Sequence, residues 1–339
     1  MPRPRRARHV DGVGTVCVDT LVQTEYKGAV SVYPEMTRTF NIVIVIAIVI
    51  IGVIVLLARR GPASALARAD RYSMTIRLPY GVTPGEVEST RASVARVIGA
   101  RTFASDVALV TSGLLSAALL GTPLATSSLF VLTVFVPCLV VGSVIGAVVV
   151  SLRERLFHPA PDARRVAHVR FMRTSDYLDP ARRLLPWALG IAAAVVVATA
   201  AAIRASAPAR VDGALVTIAV ALAAVAMVVF AVVPWLERLV LAQPQPASDT
   251  LQLAWDDSLR TGTLSELRLA AALSAWFALA VALVALWQGD APGTPTLATQ
   301  LPTWGMIALQ FVYPITGRRL RTELYPDWLR RPVSQGSPA

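Results

Sequence analysis

Two adjacent carboxylates, Asp256 and Asp257, are the first residues of this chain that could do chemistry. Neighbouring acids can divide general-acid and general-base work, or coordinate a cation. Either role needs partners at a defined spacing. The stretch Trp255-Asp256-Asp257-Ser258-Leu259-Arg260 brings no partner constellation with it, so it reads as the solvated lead-in to an apolar helix. Acids near a helix start are favoured by the helix dipole alone. The histidines are His9, His158 and His168. His158 and His168 share a loop but have no nearby Cys and no third strong ligand, which makes them exposed loop histidines rather than a metal pair. Cys17 and Cys138 suggest neither a disulfide framework nor a metal site.

Other chemistries fail on specific grounds. H-E-x-x-H, the helical zinc motif of metalloproteases, is missing, as is the phosphate-cradling G-x-x-x-x-G-K-[ST]. A Ser–His dyad at membrane depth would need a histidine in an apolar run, and the runs contain none. A retinal Schiff base would need a lysine within the bundle. Lys27 is the only lysine and lies outside every apolar run. No catalytic, cofactor-binding or metal-binding residue is therefore assigned, and no cofactor is expected.

The elements that would position any site are apolar runs. With 55% hydrophobic residues and a mean hydropathy of +0.59, the chain is too apolar for one or two water-soluble domains of its length. Seven runs predict an all-α membrane protein: 40–58, 107–122, 129–150, 184–203, 213–234, 269–287 and the shorter 303–316. Most approach the ~20 residues that cross a bilayer core, and lipid forces them into helices because backbone groups find no water there. None contains Asp, Glu, Lys, Arg or His. This counts against a proton relay or a voltage sensor, which place ionisable groups at membrane depth.

The net charge of +11 would suggest nucleic acid in a soluble protein. Here the arginines sit between the runs, so no nucleic-acid partner is expected. Segments 59–106 and 151–183 carry eight each, 235–268 three and 317–339 five, whereas 123–128 and 288–302 carry none and 204–212 two. Rich and poor connections alternate. The positive-inside rule then puts the N-terminus outside and the C-terminus in the cytoplasm, as one leading helix and three hairpins. Trp187, Trp235, Trp287 and Trp304 lie at run ends, where the headgroup layer favours the indole. The arginine-rich loops would attract anionic lipid headgroups.

Within those loops, Tyr72–Leu78 and Val166–Met172 alternate like short half-buried strands. Thr83-Pro84-Gly85-Glu86 has capping-box spacing with Pro just inside a helix start, and Val87, Val94, Val97 and Ile98 follow at helical spacing. Gly142 and Gly146 form G-x-x-x-G, a signal for close helix approach. Pro137 and Pro234 are expected to kink their helices, with Thr133 one turn before Pro137. Residues 1–35 hold the lone Lys27 and lack clear periodicity, so they read as a disordered leader or an over-extended start, with Met36 as the initiator, ahead of a single transmembrane domain, 36–339.

The bias of Arg over Lys, the Ala/Val-rich spans and the Trp255–Arg260 stretch resemble the uncharacterised multi-pass membrane proteins common in actinobacteria. That resemblance covers the chain loosely from Met36, carries no diagnostic motif, and implies a bacterial plasma-membrane location and no activity. Three functions stay open. A non-catalytic scaffold or accessory component fits the missing chemistry best. A permease subunit working with a separate ATPase would use the arginine-rich loops for docking. A lipid-acting membrane enzyme would have only Asp256, Asp257, His158 and His168 at its disposal.

Overall fold

The computed structural model describes residues 14–122, 130–154, 172–245, 247, 249–288, 304–309 and 313. It is all-α. The elements are α1 (Gly14–Ala58), α2 (Pro62–Ile76), α3 (Pro84–Ala117), α4 (Val136–Arg153), α5 (Thr174–Tyr177), α6 (Pro180–Ser206), α7 (Gly213–Ala242) and α8 (Thr250–Gln288). Among the described residues, six helical segments are long and apolar enough to cross a membrane: Glu35–Ala58, Pro84–Gly121, Val136–Arg153, Pro180–Ser206, Gly213–Ala242 and Thr250–Trp287. Of the seventh expected run, only 304–309 and 313 are described, and they are helical.

Several helices outrun the apolar segments that predicted them. At 1.5 Å per residue, the 39 residues of α8 extend about 58 Å and the 34 of α3 about 51 Å, well beyond a ~30 Å hydrocarbon core. The excess lies at the arginine-rich end. There the first turns of α3 and α8 continue past the apolar segments and pack with α2 into a small helical layer. Its core is Ala69, Ile76, Leu78, Val94, Val97, Leu251, Ala254, Trp255 and Leu259.

α2 overturns the strand expected at Tyr72–Leu78. Pro62 starts the helix, whose chain then runs through Ala63, Ala65, Leu66, Ala67 and Ala69, good helix formers. The helix propagates through Ile76 and stops at Arg77, which takes a left-handed conformation (φ 56°). Ala69, Tyr72 and Ile76 fall on one helical face against the core, so seven residues of apparent alternation were also a helical stripe. The second expected strand, Val166–Met172, lies outside the described residues except for Met172.

α3 begins as its sequence dictates. Thr83 Oγ1 accepts from the Glu86 amide at 3.4 Å, and Glu86 Oε2 accepts from the Thr83 amide at 2.9 Å. α3 and α4 then pack closely. A Cβ built on Gly142 would stand 2.6 Å from Ser112 Cβ, and one on Gly146 would stand 2.8 Å from Ala108 Cβ. Only glycine admits this approach. Pro137, which lacks an amide proton, sits in the first turn of α4 behind a π-helical turn, Val131–Phe135, closed by Val136 N–H to Val131 O. Pro234 is carried inside the continuous helix α7, and Pro186 inside α6.

α8 is the central element. It packs against α4, α6 and α7, while α3 pairs with α4 and α1 lies along α3. Its apolar stretch is 78% buried, against 11% to 28% for the other five. The remaining helices leave most of their apolar surface outward, as a lipid-solvated bundle does.

Candidate functional site

The arginine-rich end of α8 gathers the buried polar groups. Trp255 is fully buried and Asp257 is 1% exposed, so the stretch read as a solvated lead-in is interior instead. The correction has a physical cause. α8 continues one helix from these residues into the apolar run, and α2, α3, α5 and α7 close around it. Buried charge requires partners, and those partners come from α8 itself, from the stretch between α7 and α8, and from Tyr177 of α5.

Arg260 reaches back one helical turn to Asp256 Oδ2, Nε to O 2.8 Å. Its two terminal nitrogens donate to carbonyls at the end of α7, Val240 O at 3.3 Å and Gln243 O at 2.7 Å. The last carbonyls of a helix have no partner within it, and this guanidinium supplies one. Gln243 Nε2 donates in turn to Leu152 O at the end of α4, at 2.9 Å. Gln245 Nε2 bridges the two carboxylates, 3.0 Å from Asp256 Oδ2 and 2.6 Å from Asp257 Oδ1. Tyr177 of α5 donates to the same Asp257 oxygen at 2.8 Å. Burial, with the Asp257 charge behind it, pushes the Tyr177 hydroxyl well above the usual phenol range. It stays a proton donor.

A second group ties α8 to the helical layer. Trp255 Nε1 donates to Pro79 O at 2.8 Å, and the indole stacks on Tyr80 with centroids 5.3 Å apart and planes 2° from parallel. Tyr80 donates to Asp70, which also takes both oxygens' worth of contact from Arg91, at 3.0 and 2.9 Å. Those Arg91 bonds hold the Asp70 carboxyl below its ordinary range, whereas burial pushes Tyr80 up to about 12.

A third group lies further along α8. Arg268 pairs with Glu237 of α7, with the Nη2 to Oε2 contact at 2.7 Å, and Arg101 of α3 pairs with Glu266 at 2.7 Å. Arg182, 2% exposed in the first turn of α6, donates to Ser265 Oγ at 3.0 Å and lies over the Tyr313 ring. These charges flank the sixth run at its arginine-rich end. They were legible there as loop charges, but their pairing was not.

The contacts of this arrangement tie α8 to α5 and to the end of α7. Asp256 Oδ2 accepts from Arg260 and Gln245, and Asp257 Oδ1 accepts from Gln245 and Tyr177. Among the described residues no group of three or more His, Cys, Asp or Glu is placed to hold a metal ion. His9, His158 and His168 lie outside the described residues, as does Cys17's side chain. Cys138 lies within α4, and Ser112 and Ser143 bond back to carbonyls of their own helices, as packing residues do.

The fold defines a class: a multi-pass helical membrane protein. No protein-family model, curated protein or solved structure matches the chain.

Proposed function

We propose that the protein is a non-catalytic scaffold or accessory component of a bacterial plasma membrane. In this reading the arginine-rich end and the C-terminus are cytoplasmic, the N-terminus is outside, and 303–316 makes a seventh crossing. The observation that supports it is the clasp around α8, in which buried polar side chains are spent on helix ends and on one another. Such a network fixes helix positions and presents a rigid layer outside the bilayer. The alternation of arginine-rich and arginine-poor connections supports the orientation. Anionic headgroups are the expected lipid partners of that end.

The helical layer favours a second reading, a permease subunit that docks a separate ATPase. It projects beyond the apolar segments and exposes Met74 and Val82.

Purification of the tagged full chain from native membranes in mild detergent, with mass spectrometry of co-purifying chains, separates the two. The scaffold reading expects stable association with other membrane chains and no nucleotide-binding subunit. A stoichiometric ATPase would replace it with the permease reading.

A further inference from the structure

Where α1 ends, three arginines converge beside one carboxylate. Arg59 pairs with Asp106 of α3 at 3.2 Å. Arg68 of α2 donates to the Arg59 carbonyl at 3.4 Å, and Arg60 lies over the Phe103 ring, 5.3 Å from its centroid. Arg60 and Arg68 make no ion pair among the described residues, so three guanidiniums against one carboxylate leave two positive charges in excess. Arg68 Nε is shielded from solvent and has no hydrogen-bond partner among the described residues. Burial and the neighbouring Arg59 charge lower the Arg68 pKa, as expected of a cation short of counter-charge.

Apolar surface adjoins the cluster on the bundle side. Leu57 precedes Arg60 by one helical turn, Ile54 precedes Leu57 by another, and Val107 follows Phe103 by one; all four are outward-facing. A Cβ built on Gly52 would meet Val110 at 3.4 Å and Leu109 at 3.5 Å, and Arg59 pairs with Asp106, so α1 and α3 lie side by side up to the arginines. Cationic side chains beside exposed apolar side chains match a phospholipid, with its phosphate on the arginines and its acyl chain on the apolar surface.

We propose that Arg59, Arg60 and Arg68 bind the phosphate of an anionic phospholipid whose acyl chain lies on the exposed apolar surface beside them, at Phe103 and Val107 of α3. The site rests on the reading of α1 and α3 as membrane spans.

The test is native mass spectrometry of the full chain in detergent, with phosphatidylglycerol and phosphatidylcholine as probes. Phosphatidylglycerol should be retained roughly tenfold over phosphatidylcholine, from the attraction of each basic residue for an anionic headgroup. R60Q/R68Q should lose that preference, R60K/R68K should keep most of it, and R204Q/R210Q should keep all of it. Equal retention of the two lipids by the wild type, or equal losses in R60Q/R68Q and R204Q/R210Q, would overturn the site. Displacement of the lipid by inorganic phosphate would also overturn it, by making this a free-anion pocket. Alkaline extraction of the same preparations separates the two levels. Wild-type protein released by alkali would sink the membrane reading and the site with it. Protein that resists alkali yet does not discriminate between the lipids would sink the site alone.

Discussion

Arg260 serves acceptors on α7 and α8 at once, so its replacement cannot be absorbed locally. Arg260→Ala leaves Asp256 without its cation, and uncaps the last carbonyls of α7. Removing one partner of a buried pair costs about 3–5 kcal/mol, and a clear fall in the detergent melting temperature is expected. Arg260→Lys keeps the charge but lacks the planar fork that meets three acceptors, so it should fall between wild type and Ala. At the layer, Asp70 has a folded pKa below its unfolded one, because Arg91 stabilises the carboxylate. Its contribution is therefore present above the unfolded value near 3.8 and is lost as pH falls through the lowered folded value. Hydrogen exchange of α2 should rise over that acid window in the wild type and be independent of pH there in Asp70→Asn. Acid exchange that is the same in both proteins would count against the pair.

At the scale of elements, the α3–α4 seam depends on two missing side chains. Gly146→Val places atoms where Ala104 and Ala108 already stand, and overpacking of this kind costs about 1–3 kcal/mol or more. Gly85→Ala, where the new Cβ meets open space, should leave the melting temperature within a degree or two of wild type, by the usual size of surface effects. The seam was legible in the sequence because G-x-x-x-G is a local spacing, and so was the start of α3, because Thr83 and Glu86 are three residues apart. α2 was not. A run of seven residues satisfies both periods, and what decided it was propagation from the Ala-rich turns upstream. The burial of Asp256 and Asp257 was hidden for a different reason. It depends on Tyr177 arriving from α5, 80 residues away, and on Gln245 folding back from the stretch between α7 and α8, which residue spacing alone does not reveal. Residue spacing gave the apolar runs but not their extensions, since α8 continues helical through a polar stretch that only its neighbours bury.

At the scale of the whole molecule, six of the described helices are long and apolar enough to cross a membrane, and a helical layer packs at the arginine-rich end. The proposed orientation puts that end in the cytoplasm, on the distribution of arginines. Cysteine labelling tests this assignment most directly. In a background with Cys17 and Cys138 replaced by Ala, single cysteines are placed at Met74, exposed in α2, and at Ala205, exposed at the far end of α6. A membrane-impermeant maleimide on intact cells should label Ala205→Cys and spare Met74→Cys until the membrane is permeabilised. Labelling of Met74→Cys in intact cells, with Ala205→Cys protected, would invert the topology and remove the cytoplasmic layer from the account.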